Sequence, residues 1–197
     1  MSMFNGWNVY KCGSCGSRFS QRAQISGNTF GARYRSDTYV DAPMGFPFVC
    51  VGKCTKCGKY FSIVGESPEW TSDPVGDELK SEESFVDLSA ALDQFRTDGV
   101  LSSSLELVVR LKMLHAGNGI DGCEVVPRDK VDDNLRALAN LDGASNYVKS
   151  ECFRELGDFA NAKLLAAKVS SDDGWYEAVP MLEAAIAEGR REPYWLQ

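Results

Sequence analysis

The sequence predicts an α+β fold, with a strand-rich amino-terminal part followed by an all-α part, and three observations predict it. Two cysteine pairs of identical spacing, Cys12-Gly-Ser-Cys15 and Cys54-Thr-Lys-Cys57, lie within the first 60 residues. Beyond residue 82 the hydrophobic periodicity changes from about two residues to about 3.6. Between these patterns, residues 65–81 gather prolines, glycines and acids, the composition of a connecting segment. The expected organisation is therefore a first domain over 1–65, a linker over 66–81 and a helical domain over 82–197.

The cysteine pairs supply the chemistry of the first domain. Two residues between cysteines let one tight turn aim both sulfurs at a single ion, and the glycine after each pair (Gly16, Gly58) accepts the strained backbone that follows. Cys12, Cys15, Cys54 and Cys57 are thus expected to hold one structural Zn2+, tetrahedrally, with metal–sulfur distances of about 2.3 Å. A complete thiolate set leaves no position for water, which argues against catalysis at the metal. A secreted disulfide framework fits less well, because seven cysteines is an odd number and Cys123 and Cys152 fall in helical sequence. A redox dithiol also fits less well, since there are two pairs, both in strand-rich context. Cys50 precedes Cys54 by four residues; it either joins the site through a Cys50-x3-Cys54 spacing or is a buried strand residue.

The strands follow from the alternation around these turns. Residues 7–11 enter the first turn, 29–40 have the alternation and aromatics of a hairpin, 46–51 lead into the second turn and 60–64 leave it. Two turns at hairpin ends, clamped by one ion, have the layout of a zinc ribbon made of short antiparallel β-hairpins.

In the second half, Phe85, Leu88, Leu92 and Phe95 share a helical face, with Ser84 and Asp87 as a capping box. Leu105, Val108, Leu111 and Leu114 follow, with Ser103 and Glu106 as a second box and Gly117-Asn118-Gly119 as a stop. Val131, Leu135 and Leu138 mark a third helix. Helices over 147–156 and 159–169 are separated only by Gly157-Asp158, so they must turn back on each other. A last helix over 175–189 contains Pro180, which kinks it or moves its start.

Within this half, Phe153-Arg-Glu-Leu-Gly-Asp-Phe-Ala-Asn-Ala-Lys-Leu-Leu165 resembles the middle of a tetratricopeptide repeat (TPR). Leu156-Gly157 closes the first helix, Phe159 opens the second and Ala162 permits close packing. The resemblance covers one repeat, which implies a small TPR-like bundle rather than a long array. The stretch Ser26-Gly-Asn-Thr-Phe-Gly-Ala-Arg33 followed by Tyr34-Arg-Ser-Asp37, between two cysteine turns and ahead of a helical tail, is similar to a group of uncharacterised bacterial zinc-ribbon proteins that carry TPR-like helices. That resemblance implies architecture and no activity.

Charge and composition bound the function. No apolar run approaches the roughly 20 residues that span a bilayer, and the amino terminus lacks a secretory pattern, so the expected location is the cytoplasm and no membrane partner is expected. Residues 1–60 hold eight basic and two acidic side chains, a balance of +6, within a chain of net charge −7. The asymmetry is read in three ways: a nucleic-acid-binding half, cations offsetting a tetrathiolate site of formal charge −2, or attraction between the halves. His115 is the only histidine; at a helix end its cationic form would suit the dipole, and hydrolytic schemes that need a His base have no other candidate. The stretch Ser26-Gly-Asn-Thr-Phe-Gly lacks the Gly-Lys-Ser/Thr of a phosphate loop and reads as a turn.

These readings point to a non-enzymatic, zinc-binding protein–protein interaction module. The candidate contact surface is Arg33, Tyr34, Arg35 and Tyr39, with Arg33 and Arg35 on one strand face and Tyr34 on the other. The alternative is a nucleic-acid-binding zinc ribbon with an acidic helical regulatory domain, in which those aromatics and cations stack bases and pair phosphates.

Overall fold

A computed structural model describes residues 3–26, 29–42, 49–80, 84–119 and 126–196. The expectations placed on Gly27, Asn28, residues 46–48 and Cys123 lie outside the described residues. The architecture is mixed α+β: among the described residues eight short strands, β1 (Met3–Lys11), β2 (Arg18–Ser26), β3 (Arg33–Tyr34), β4 (Val40–Asp41), β5 (Val51–Lys53), β6 (Tyr60–Ser62), β7 (Glu69–Thr71) and β8 (Asp77–Glu78), precede six α-helices. The chain forms two compact units, Met1–Ala32 with Ala42–Leu105, and Arg33–Asp41 with Glu106–Gln197. Residues 33–41, expected within a ribbon over 1–65, thus group with the helices.

In the first unit β1 and β2 pair antiparallel from Trp7↔Arg22 to Lys11↔Arg18, and the first cysteine turn joins them. β5 and β6 pair antiparallel from Val51↔Ser62 to Lys53↔Tyr60 around the second. The stretch read as a linker contains two strands: β7 lies antiparallel to β1 and β8 parallel to β2, giving the order β7-β1-β2-β8. Its composition misleads because it is held through backbone and close approach, with little apolar side-chain burial. The Leu79 amide donates to the Ser20 carbonyl at 2.8 Å, and the buried Ser20 hydroxyl exchanges two 2.6 Å hydrogen bonds with the Val75 backbone. Gly76, at φ 78°, passes so near β2 that a Cβ would stand 2.0 Å from the Arg18 carbonyl oxygen. Beneath the strands, Phe19, Val49, Phe61 and Leu79 pack around Cys12 and Cys54, and the Phe19 and Phe61 rings are 5.0 Å apart. Helix α1 (Phe85–Thr97) starts as expected: Ser84 accepts from the Asp87 amide, and Phe85, Leu88, Ala91, Leu92 and Phe95 are buried.

Helix α2 (Ser103–Gly117) is capped one residue earlier than expected, by Ser102, whose hydroxyl accepts from Leu105 N at 3.2 Å. The buried stripe accordingly runs through Val109, Met113 and Leu114, while Val108 and Leu111 are half-buried. In the second unit α3 (Arg128–Ala139) and α4 (Asn146–Leu156) contribute Val131, Leu135, Leu138, Val148 and Cys152 to one apolar cluster with Leu114. Helix α5 (Phe159–Ala166) turns back from α4 at Gly157, left-handed at φ 84°, and Asp158 caps it by accepting from the Asn161 amide. It ends before the expected residue 169. A second cluster joins Tyr147, Ala162 and Ala166 to Leu182 and Ile186 of α6 (Val179–Ala187). Pro180 lies in the first turn of α6, where its missing N–H has no partner to lose, so it starts the helix and does not kink it.

β3 and β4 form a hairpin in register Arg33↔Asp41 and Tyr34↔Val40, and the carboxyl-terminal residues extend it. Arg35 bridges Trp195, Ser36 N donates to Tyr194 O at 2.9 Å and Leu196 N to Tyr34 O at 2.7 Å. Among the described residues no helix is long and apolar enough to cross a membrane.

Candidate metal centre

The two cysteine turns repeat one local geometry. In the first, Cys12 N donates to Ser17 O at 2.9 Å and Gly16 N to Cys12 O at 2.8 Å. In the second, Cys54 N donates to Lys59 O at 2.9 Å and Gly58 N to Cys54 O at 2.8 Å. Gly16 at φ 74° and Gly58 at φ 72° occupy the left-handed region that a side chain would strain. The ladders of β1–β2 and β5–β6 hold both turns at hairpin tips.

These turns bring Cys12, Cys15, Cys54 and Cys57 together, with all four sulfurs within 4.8 Å of one another. Cys12 Sγ lies 3.7 Å from Cys57 Sγ, and Cys15 Sγ lies 3.5 Å from Cys54 Sγ. A tetrahedral ion with metal–sulfur bonds of about 2.3 Å needs sulfur–sulfur edges of about 3.8 Å. The donor set and its spacing therefore fit one metal ion, and none of these cysteines is in a disulfide. Cys12 and Cys54 are buried while Cys15 and Cys57 face solvent. Cys50, also buried, is not one of the four clustered sulfurs.

Electrostatics favours a cation among them. The Ser17 hydroxyl, 3.2 Å from Cys15 Sγ, and the Ser17 amide lower that thiol to about 6. At Cys57 the Lys59 amide favours the thiolate, but desolvation and the sulfurs of Cys54, Cys15 and Cys12 outweigh it and push the thiol up to about 12. The last negative charge is unfavourable until a positive ion offsets it, so metal uptake at these sulfurs would release protons.

Beside the first turn a cleft of about 670 Å3 opens against β6 and the end of α1, lined by Gly13, Ser14, Tyr60, Ser62, Gln94 and Asp98 among others. Gln94 closes part of the outer edge of β6: its Oε1 accepts from Tyr60 N at 2.9 Å and its Nε2 donates to Tyr60 O at 3.0 Å. A side-chain amide here substitutes for a neighbouring strand.

The residues expected as a contact surface are divided by the structure. Arg33 and Tyr34 are exposed; Arg33 pairs with Asp41 and lies 4.6 Å over the Trp195 ring. Arg35 is only 6% exposed and holds Asp37 through Nε at 2.8 Å and Nη2 at 2.7 Å. Tyr39 is half-buried against His115 and Trp195, with ring centroids 5.5 Å and 6.3 Å away. The carboxyl-terminal residues cover this part of the hairpin, which strand alternation alone does not reveal. His115 is not a cationic helix cap: desolvation lowers its pKa, and its Nε2 lies 3.0 Å from the Asp37 carbonyl oxygen.

Sequence reasoning missed a second set of chemistry-bearing side chains inside the helical unit. Asp37, Glu151, Arg154 and Glu155 are each at most 1% exposed. Arg154 pairs with Glu151, and its Nη1 donates to the carbonyls of Arg190 and Glu192. Asn118 Nδ2 donates both to Asp37 Oδ2 at 3.0 Å and to Glu155 at 3.1 Å. The Glu151/Arg154 spacing is the only local signal, and on a helix that spacing usually denotes a solvated pair. Compared with known protein families, characterised proteins and solved structures, the chain matches none of them.

Proposed function

We propose that Cys12, Cys15, Cys54 and Cys57 hold one structural zinc ion and that the protein is a cytoplasmic, non-enzymatic adaptor that binds another protein. The observation that carries this reading is the closed set of four thiolates at two matching hairpin tips. Tetrahedral sulfur coordination suits zinc or iron, and zinc, without redox chemistry, suits a purely structural role. Such a site holds a small strand unit in shape and offers substrate no coordination position. The unit would then be a zinc ribbon of the kind paired with TPR-like helices in the bacterial group that the sequence resembles. Support for TPR-like character comes from the α4–α5 hairpin: Gly157 closes α4, and Ala162 is completely buried where α5 packs, its carbonyl accepting from Ser150 Oγ at 2.7 Å.

The surface proposed to meet a protein partner is narrower than Arg33, Tyr34, Arg35 and Tyr39. It centres on Arg33 and Tyr34, with Trp195 beside them, because Arg35 is committed to Asp37. Metal analysis of purified protein tests the site: one zinc per chain is expected, and a ratio near zero, or iron in its place, overturns it. Affinity purification from the native host tests the adaptor. A partner retained by the wild type and lost with Tyr34→Ala is expected, and identical captures by both proteins count against this surface.

The second reading, a nucleic-acid-binding protein, draws on cations that lie over exposed or half-exposed rings in each unit, Arg22 over Trp7 at 5.0 Å and Arg33 over Trp195 at 4.6 Å. Such pairs are suited to stacking bases near phosphates. A salt titration with RNA and DNA separates the readings. Affinity that falls steeply with salt supports nucleic-acid binding, and no binding at low salt removes it.

A further inference from the structure

In the second unit the buried carboxylates outnumber the guanidinium groups that face them. Asp37 and Glu151 each have their own cation, Arg35 and Arg154. Glu155, with no exposure, has none of its own: Arg154 Nη2 is 3.8 Å from its Oε1, too far for a direct hydrogen bond, and makes no hydrogen bond elsewhere. Its carboxyl oxygens instead meet Asn118 Nδ2 at 3.1 and 3.2 Å, and that same nitrogen donates to Asp37. Two carboxyl groups thus approach each other across a single amide. A buried carboxyl group that must share its nearest guanidinium with another carboxylate gives up its proton less readily.

The charged and titratable groups of this cluster come from every element packed against it. The β3–β4 hairpin brings Asp37 and Arg35, and α2 brings Lys112 and His115, with Asn118 just past its end. From α3, Arg128 donates to the Glu155 carbonyl at 2.7 Å. From α4 come Tyr147, Glu151 and Arg154, and from the end of α6 and the carboxyl-terminal segment come Glu188, Arg190, Arg191 and Tyr194. Arg191 Nε donates to the Glu155 carbonyl at 2.9 Å, and like Arg128 it reaches the backbone and not the carboxyl group. Desolvation first, then the charges of Glu151 and Asp37, raise the Glu155 carboxyl to about 8.

We propose that Glu155 is a proton-operated latch: its neutral form closes the β3–β4 hairpin and the carboxyl-terminal segment onto α2 and α4, and its ionisation releases both. When the proton leaves to water, a second negative charge stands opposite Asp37 with only the Asn118 amide between them. The hairpin tip is the strained part of the closed form. It holds Thr38 at φ 69°, a conformation a β-branched residue adopts only when its surroundings impose it. The carboxyl-terminal segment follows, because Ser36 and Tyr34 hydrogen-bond it to β3. Because Glu155 is raised above its ordinary range, the folded state holds a proton the unfolded chain has lost. The latch is therefore at full strength below the ordinary carboxylate range and weakens as pH rises through about 8.

Hydrogen exchange of the full chain, corrected for the intrinsic rate, tests the latch at two pH values, about two units below and about one unit above the Glu155 value. In the wild type, protection of residues 33–41 and 194–196 is expected to fall about tenfold or more at the higher pH, with α3 and α5 unchanged. Glu155→Gln, neutral at both values, is expected to retain that protection within about twofold. Equal loss in both proteins, or none in the wild type, overturns the proposal. Should Glu155→Gln fail to fold, carboxyl 13C titration of the wild type decides: a Glu155 midpoint near 8 supports the latch, and a midpoint in the ordinary carboxylate range refutes it.

Discussion

The two units bury polar chemistry in opposite ways. The first gathers four thiols at the tips of two hairpins and keeps only a thin apolar layer, Phe19, Val49, Phe61 and Leu79, around them. The second has two apolar clusters on five helices, α2 to α6, and buries ionic groups beside them. A site that concentrates negative charge would recruit an external cation, whereas the helical unit supplies its own, Arg35 and Arg154, and on the latch proposal keeps a proton where the cations fall short. The comparison teaches where each unit is fragile. On the proposed reading the first depends on an ion that can be removed, and the second on buried ion pairs whose partners are costly to remove one at a time.

The largest effect expected from breaking this comparison is in the first unit. Cys15→Ser, or a strong chelator, should remove a metal contribution on the order of 10 kcal/mol, so the strands unfold while most helical circular dichroism remains. Simultaneous loss of both signals would show that the units stand or fall together.

Next in size is Arg154→Ala. A buried ion pair adds little over an apolar replacement, but removing one partner leaves Glu151 buried without its cation, at a cost of about 3–5 kcal/mol. Urea unfolding followed at helical wavelengths should show it, with the metal still bound. A loss below about 1 kcal/mol would mean that the cluster relaxes into water.

Gly76→Ala sharpens the account of the apparent linker. A Cβ at 2.0 Å from the Arg18 carbonyl, at φ 78°, forces β8 away from β2, and a loss of about 2–3 kcal/mol in the first unit is expected from calorimetry. A true linker would tolerate the change.

The smallest effects lie in the hairpin tip of the second unit. Thr38→Gly should stabilise by about 1 kcal/mol through relief of the left-handed backbone. In acid, His115 should oppose folding. Its pKa is lowered in the folded state, so the unfolded chain binds the proton more readily and stability falls as pH drops through the ordinary histidine range. His115→Gln should flatten the acid limb of a thermal-stability profile.

Much of the metal centre was legible because both its turn chemistry and its ligand spacing are local. Cys-x-x-Cys-Gly encodes the turn, and two copies encode the partner turn. Helix α1 and the α4–α5 hairpin were legible for the same reason, through Ser84, Gly157 and Asp158 at their ends, and α3 through the spacing of Val131, Leu135 and Leu138. β7 and β8 were not, since Gly6 against Thr71 and Gly76 against Arg18 join them to β1 and β2 by backbone proximity that no periodicity records. The placement of Arg35 was not legible either. Alternation assigns it a strand face, but whether that face meets water depends on Tyr194 to Leu196, some 160 residues away.

By itself, then, the sequence determined the elements whose signals fall within a few residues: the cysteine turns, the helix caps and the apolar faces. Tertiary structure alone decided that residues 33–41 join the helices and that Asp37, Asn118, Arg154 and Glu155 meet in the interior. The reason is physical. Turn and cap preferences arise from local backbone sterics and hydrogen bonds, whereas the protonation and pairing of a buried charge depend on which distant groups desolvate it.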